Sequence, residues 1–557
     1  MDRGEGPFDL ADMQRWGKER MIRSAVLRYL LAADDWPVDA RGVRLRGVRI
    51  SGHLDLEGVT LRCELRLVDC YLDAREPVCL DQATAYRLAL ARCHLAGLTG
   101  EMLSAREVDL HGSTLTGPLQ LLAANITGQL ICRDAQLTGH DDNGDALVAD
   151  RMKAGGVFLD GEFTAAGAIG LLGADITGQL NCRGAKLTGH DDDGDALVAD
   201  RMKAGGDVLL DGEFTAAGAI GLVGADITGQ LSCRGAKLAG HDNDGNALVA
   251  DGMKAGGVFL DGEFTAAGAI RLQSVRVGGA VQLCPAALAG PGQVAMDAAG
   301  AQIKGELVWA PTGPVFGQVN LEGATISHLV DDWGEDRPGG FWPTEGQLRL
   351  DGFTYDRFGG DRQATVEQRL KWICGQYRRS GTGQLGFVSQ PYEQLAKVYR
   401  RAGKDSDARK VAIARCVDVR RYGSLNWYRK AGNWFMDKTI KFGYQTWRAA
   451  LGLAVVFMAF LIMTLFAQQH HAIVPVSDLV VGVHPAPAAT QCAPSYPCFY
   501  PLGYAVDVVI PVINVRQADF WGLNGWGWVA GSWAATVLGW AAVTLLLVGY
   551  TGLVRQQ

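Results

Sequence analysis

"NCRGAKLTGHDDDGDALVADRMKAGGDVLLDGEFTAAGAIGLVGADITGQLSCRGAKLAGHDNDGNALVAD" runs from residue 181 to residue 251 and states nearly the same pattern twice. Leu147, Leu197 and Leu248 hold equivalent positions, offset by 50 and then 51 residues. A shorter rhythm runs inside it and is clearest upstream, where Leu45, Leu56 and Leu67 are 11 apart. Apolar residues there fall at strand spacing, as in Val48, Ile50 and Leu54, and Gly47, Gly52 and Gly58 mark corners. Very short period-two strands broken by regular turns predict strand, and the i, i+3, i+4 spacing of an amphipathic helix is missing.

Short strands, corner glycines and a long internal period together predict a β-solenoid. Two 11-residue units make a coil of about 22 residues, so a 50-residue copy reads as two coils, the second carrying the extra loop "GHDDDGD". Each coil buries its apolar side against its neighbours alone. Residues 43–353 then hold roughly 12 to 14 coils, a rod on the order of 60 Å at about 4.8 Å per coil. The class is mainly β.

The ends need covers, because open edge strands invite aggregation. Residues 19–32, with Ile22, Val26 and Leu30 at helical spacing, predict a helix capping the first coil. After residue 353 the pattern turns helical. "TVEQRLKWICGQYRR" reads as one helix. "PYEQLAKVYRRAGKDSDARKVAIARCVDVRRYG" reads as two around Gly403, a single tetratricopeptide-like hairpin. The division is a helical cap at 1–42, the solenoid at 43–353, a helical hairpin region at 354–430 and a membrane domain at 431–557.

Two uncharged stretches define that last domain, 449–467 and 528–554, each long enough to span a bilayer core of about 30 Å. Arg429, Lys430, Lys438, Lys441 and Arg448 crowd the entry to the first, whereas 468–527 holds one basic residue, Arg516. Basic flanks stay on the cytoplasmic side. The expectation is therefore a two-span plasma-membrane protein with both termini cytoplasmic and the loop outside. In the second span Gly531, Ala535 and Gly539 repeat every four residues, a close-packing stripe for the first span (through Gly452 and Ala459) or for a second copy of the chain.

The chemistry-bearing candidates are few. Of 12 cysteines, Cys492 and Cys498 lie in the outside loop, as a disulfide or as two free thiols. Cys132, Cys182, Cys233 and Cys284 share one repeat position, two coils apart, too far for a disulfide and suited to core filling. Asp191, Asp193 and Asp195 alternate as in half of a calcium loop. The downstream acid is missing, so tight-turn chemistry and weak cation binding both remain open. "GTGQLG" at 381–386 matches a dinucleotide fingerprint as a string but lacks the strand–turn–helix context. No cofactor and no catalytic residue is expected. A net charge of −7 excludes a global basic field for nucleic acid. The expected partners are the lipid bilayer, a protein whose identity stays open, and a second copy through the second span.

Four stretches together resemble a known family: "IRSAVLRYLLAADDWPVDARGVRLRGVRISGHLDLEG" (22–58), "DGFTYDRFGG" (351–360), "QPYEQLAKVYRRAG" with "ARKVAIAR" (390–415), and "YAVDVVIPVINVRQADFW" (504–521) before the final span. The family is that of actinobacterial membrane proteins with pentapeptide-like, right-handed β-helices and C-terminal spans. The likeness covers nearly the whole chain. Its members often carry the label "membrane-associated oxidoreductase", so the resemblance implies redox activity as the alternative. The residues themselves show no flavin or haem signature and no Cys-x-x-Cys. On the residues, a non-catalytic membrane-anchored scaffold is the first reading.

Overall fold

The structure, a computed structural model, describes residues 8–551 except 9, 34–40, 314, 332, 334–341, 344–345, 361, 378–385, 440, 443 and 477–496. The chain divides into two compact units, Met1–Gly403 and Lys404–Gln557.

The first unit is a parallel β-solenoid of about 12 turns. On face A, Leu119 pairs with Leu147, then Ile169, Leu197, Ile220, Leu248 and Ile270 in succession. On face B, Leu130, Val157, Leu180, Val208, Leu231 and Val258 do the same. Both columns are buried and form the two walls of one core. Each such aliphatic side chain contributes about 1.5–3 kcal/mol when removed from water.

Steps along face B alternate between 27 or 28 residues and 23. The 50-residue copy is therefore two coils, as expected, and the longer coil carries the acidic loop. A second face A column alternates in size through Leu137, Ala165, Leu187, Ala216 and Leu238, so bulky and small layers interdigitate. The corner glycines are required by conformation: Gly47, Gly52 and Gly58 have φ of +65°, +88° and +63°.

The first coil is covered differently from the expectation. Residues 21–23 form a strand, with Ile22 paired to Ile50, and follow a short helix α1 (Leu10–Gln14). The capping helix α2 is Ser24–Ala32. Strand pairing at Ile22 resets the helical phase, so Ser24, Leu27 and Leu31 face inward, and Val26 is 50 % exposed. The helix is tied to the next coil where the Arg62 N–H donates to the Leu31 carbonyl.

The other end is closed by α3 (Val366–Cys374), which starts at a capping box between Thr365 and Gln368. Arg369 on α3 reaches the last coils. It donates to Asp331 at 2.7 Å, and both side chains are almost wholly buried. Trp342 Nε1 donates to the same carboxylate at 3.0 Å, and Trp309 stacks on Trp342 at 4.7 Å. Helix α4 (Gln390–Arg401) follows, with Gln394 donating to the Tyr355 carbonyl.

The second unit begins with α5 (Asp405–Tyr422), so the two hairpin helices fall one in each unit. Then come α6 (Trp427–Thr439), α7 (Trp447–Gln469), α8 (Pro501–Val509), α9 (Gln517–Phe520) and α10 (Trp526–Thr551). α7 and α10 are long and apolar enough to cross a membrane, and 17 % and 11 % of their apolar windows are buried. A soluble core helix would be mostly buried. Part of the segment expected as a loop is ordered against these helices. Tyr504 of α8 stacks on Phe460 of α7, and the Asp507 carboxylate accepts from the Ala518 N–H at the start of α9. The strands Ile473–Pro475 and Trp521–Leu523 pair antiparallel beside it.

Candidate functional site

The acidic loops resolve into turns. Asp191 accepts at Oδ1 from the backbone N–H of Asp193 and Asp195, at 3.0 and 2.8 Å, and the Gly194 N–H donates to the Asp191 carbonyl. The same arrangement recurs at Asp141 and Asp242. One Asp191 oxygen is thus committed to the backbone of its own loop. Successive loops also touch: Asn243 donates its backbone N–H to the Asp193 carbonyl and its side-chain amide to the Asp192 carbonyl. A Cβ on Gly194 would sit 3.1 Å from Asp242, so the loops stack at glycine distance. Asp145 and Asp195 sit half-buried in this stack. Burial first, and then Asp141 and Asp191 respectively, push each carboxyl up to about 6.

The repeat cysteines Cys132, Cys182 and Cys233 point into the core, and Cys284 is partly exposed. Burial pushes the three thiols well above the ordinary range, which keeps them protonated and poor nucleophiles. Cys498 is disulfide-bonded, and Cys492 lies outside the described residues. Most of "GTGQLG" also lies outside them.

The helix-packing stripe is occupied within the chain. A Cβ on Gly531 would meet Met463 Sδ at 2.6 Å, and one on Gly539 would meet the Val509 carbonyl oxygen of α8 at 2.0 Å. Ala535 is buried between them. Gly452 has open space around it and Ala459 is exposed, so α7 contributes Met463 to this contact.

Sequence reasoning missed the outward side of face B. Its paired positions run Lys153, Asp175, Lys203, Asp226, Lys254 and Arg276, each directly opposite the next. Charge alternates with every rung until Lys254, which pairs with Asp226 at 3.3 Å. It then breaks, since Arg276 follows Lys254 and is itself followed by Gln302. There a groove of about 570 Å³ opens, lined by Lys254, Arg276, Gln302, Lys304, Ser327 and Asp356, the last paired with Arg401 at 2.8 Å. A second groove of about 450 Å³ lies at the first coils, lined by Arg44, Arg46, Arg66, Arg92, Asp109 and His111. Asp69, held below the usual carboxylate range by Arg92 and Arg46 against the opposing effect of burial, neutralises two of those arginines. The signal was present in the sequence, in the Lys of each "MKA" and the Asp of each "ADI", but it appears only once the rung partners are known.

Among the described residues, one compact cluster has ligand-like atoms. Asp55, Glu57 and Cys79 place donors within 4.8 Å of one another. Asp55 is already held by Arg28 at 2.9 Å and by the Glu57 N–H at 2.9 Å, so its carboxylate serves the coil corner.

No protein-family model, curated protein or solved structure matches this chain.

Proposed function

We propose that the chain is a membrane-anchored scaffold: a cytoplasmic β-solenoid, tethered by two plasma-membrane spans, that holds an acidic protein partner along face B. The observation that carries this reading is the groove where the charge alternation of that face breaks, with Lys254, Arg276 and Lys304 on its wall and its one acid, Asp356, 2.8 Å from Arg401. Unlike the alternating ladder before it, this cluster of three cations on rigid rungs about 4.8 Å apart favours a negatively charged partner. The two apolar helices support the tether, and the basic flank at 429–448 supports the cytoplasmic side.

The test uses the full chain in native membranes with a photo-crosslinking residue placed beside the groove, at position 302. A defined partner should be captured, and Arg276→Glu with Lys304→Glu should abolish its capture while a matched reversal at Lys186 on face A does not. Equal capture by all three proteins would remove face B from the account.

A further inference from the structure

Helix α6 uses one side for its own unit and leaves the other bare. On the packed side Asn433 donates to the Cys416 carbonyl at 2.9 Å, and Asp437 accepts from Arg420 and Lys441 at 3.3 and 2.9 Å. On the other side Trp427, Tyr428, Trp434 and Phe435 are 81 %, 54 %, 54 % and 48 % exposed. At 3.6 residues per turn these four fall within an arc of about 120°. Aromatic side chains carry the largest apolar areas of any residues, so a continuous stripe of four asks for a cover.

The neighbours of α6 in the chain indicate its cover. α6 is joined to the span α7 by the short connection from Thr439 to Trp447. Lys441 and Phe442 both take left-handed φ, +47° and +56°, so the chain turns there and α6 is a separate helix, not the first turns of the span. The short connection therefore ties the helix that carries the stripe to the level at which α7 enters the headgroup layer, where Trp and Tyr are favoured. Lys430 borders the stripe, Lys438 ends it, and both are exposed. The one acid of α6, Asp437, is buried in its two ion pairs. The exposed charge of the helix is thus purely cationic, which suits anionic headgroups.

We propose that α6 lies in the headgroup layer of an anionic bilayer as a third membrane contact, with its aromatic stripe at the acyl boundary and its lysines on lipid phosphates. This rests on the reading of α7 and α10 as spans. It gives the protein an in-plane anchor that fixes how α5 and α6 meet the membrane surface, which two spans alone leave free to rotate.

The full chain, reconstituted in vesicles of phosphatidylcholine with or without phosphatidylglycerol, decides it. Lipids brominated near the headgroup should quench part of the tryptophan emission, and Trp427→Phe with Trp434→Phe should lose that part while keeping the apolar stripe. Backbone amides of α6 should exchange more slowly when phosphatidylglycerol is present. Unchanged quenching in the double variant overturns the proposal, and so does amide protection without quenching, which would mean a protein surface covers the stripe. Alkaline extraction separates the two readings. A chain released by carbonate fails as a spanning protein, whereas a retained chain with unchanged quenching fails in α6 alone.

Discussion

Asn246 donates its side-chain amide to both carboxylate oxygens of Asp242, at 3.2 and 2.9 Å. The equivalent positions in the two preceding loops carry Asp145 and Asp195, which face Asp141 and Asp191 and can donate in the same way only when protonated. Their carboxyls, at about 6 in the fold against an ordinary 3.8, hold a proton more tightly folded than unfolded. The stability they contribute is present in acid and is lost as pH rises from about 4 through 6. Amides of 141–145 and 191–195 should therefore be better protected from exchange at pH 5 than at pH 7, after correction for intrinsic rates, with 242–246 unchanged. Asp195→Asn should flatten the pH response of its own loop. A pH response that survives this substitution would refute the assignment.

Among the described residues, Asp331 and Arg369 form the ion pair with the least water around it, with side chains 0 % and 1 % exposed. Asp331→Ala leaves a buried guanidinium without its counter-charge and should cost about 3–5 kcal/mol. Asp331→Leu combined with Arg369→Met should recover most of that loss. Denaturant unfolding of the detergent-solubilised chain reads both, and equal losses in the two variants would mean the pair itself is not the issue.

Deleting residues 146–195 joins Asp145 to Ala196, which repeats the native junction of Asp195 with Ala196. Two coils are removed in register, so the product should keep its β-signal and scatter as a rod shorter by about 10 Å. Deleting only 146–156 cuts within a coil and should unfold or aggregate. If the two deletions behave alike, coil register is not what holds the unit together. Leu180→Asp, which places a charge in the face B column, should likewise be far more damaging than Cys182→Ala.

Ala535→Leu has no room between Gly531, seated on Met463, and Gly539, seated on Val509. Thermal stability in detergent should fall, and crosslinking between copies should stay the same. The opposite result, weaker self-association at unchanged stability, would assign the stripe to a dimer.

Sidedness is open to direct labelling. After mild reduction of intact cells, a membrane-impermeant thiol reagent should reach Cys492 and Cys498 and leave Cys374 and Cys416 unlabelled. Labelling of the second pair alone would invert the topology.

The solenoid was legible because its period is written in the commonest signals, apolar alternation and corner glycine, and the two long apolar helices because charge is missing for so long. What resisted was anything that depends on neighbours far away in sequence. The capping helix is an example: Ile22 reads as helical by spacing, but Ile50 recruits it into a strand and shifts the buried stripe from Val26 to Leu27. The face B column is another, since Lys203 and Asp226 are 23 residues apart and meet only through rung pairing. Helix α8 was hidden in the same way, because nothing local in "YAVDVV" announces that Tyr504 will stack on Phe460.

Asp207 stands where the other two copies have no residue, and it accounts for the offset of 51 after 50. The extra residue splits the strand into Lys203–Ala204 and Val208–Leu209, and its carboxylate takes the Gln230 N–H at 2.9 Å. One rung later Val208 still faces Leu231, and Lys203 still faces Asp226. The coil is therefore self-indexing: each turn finds its alignment from the turn beneath it, not by counting from the start of the chain. Slack at a corner absorbs the miscount, and an error in one turn stays in that turn. Such a rod can drift in sequence turn by turn, gaining or losing single residues at its edges, while the charges on its face keep their spacing.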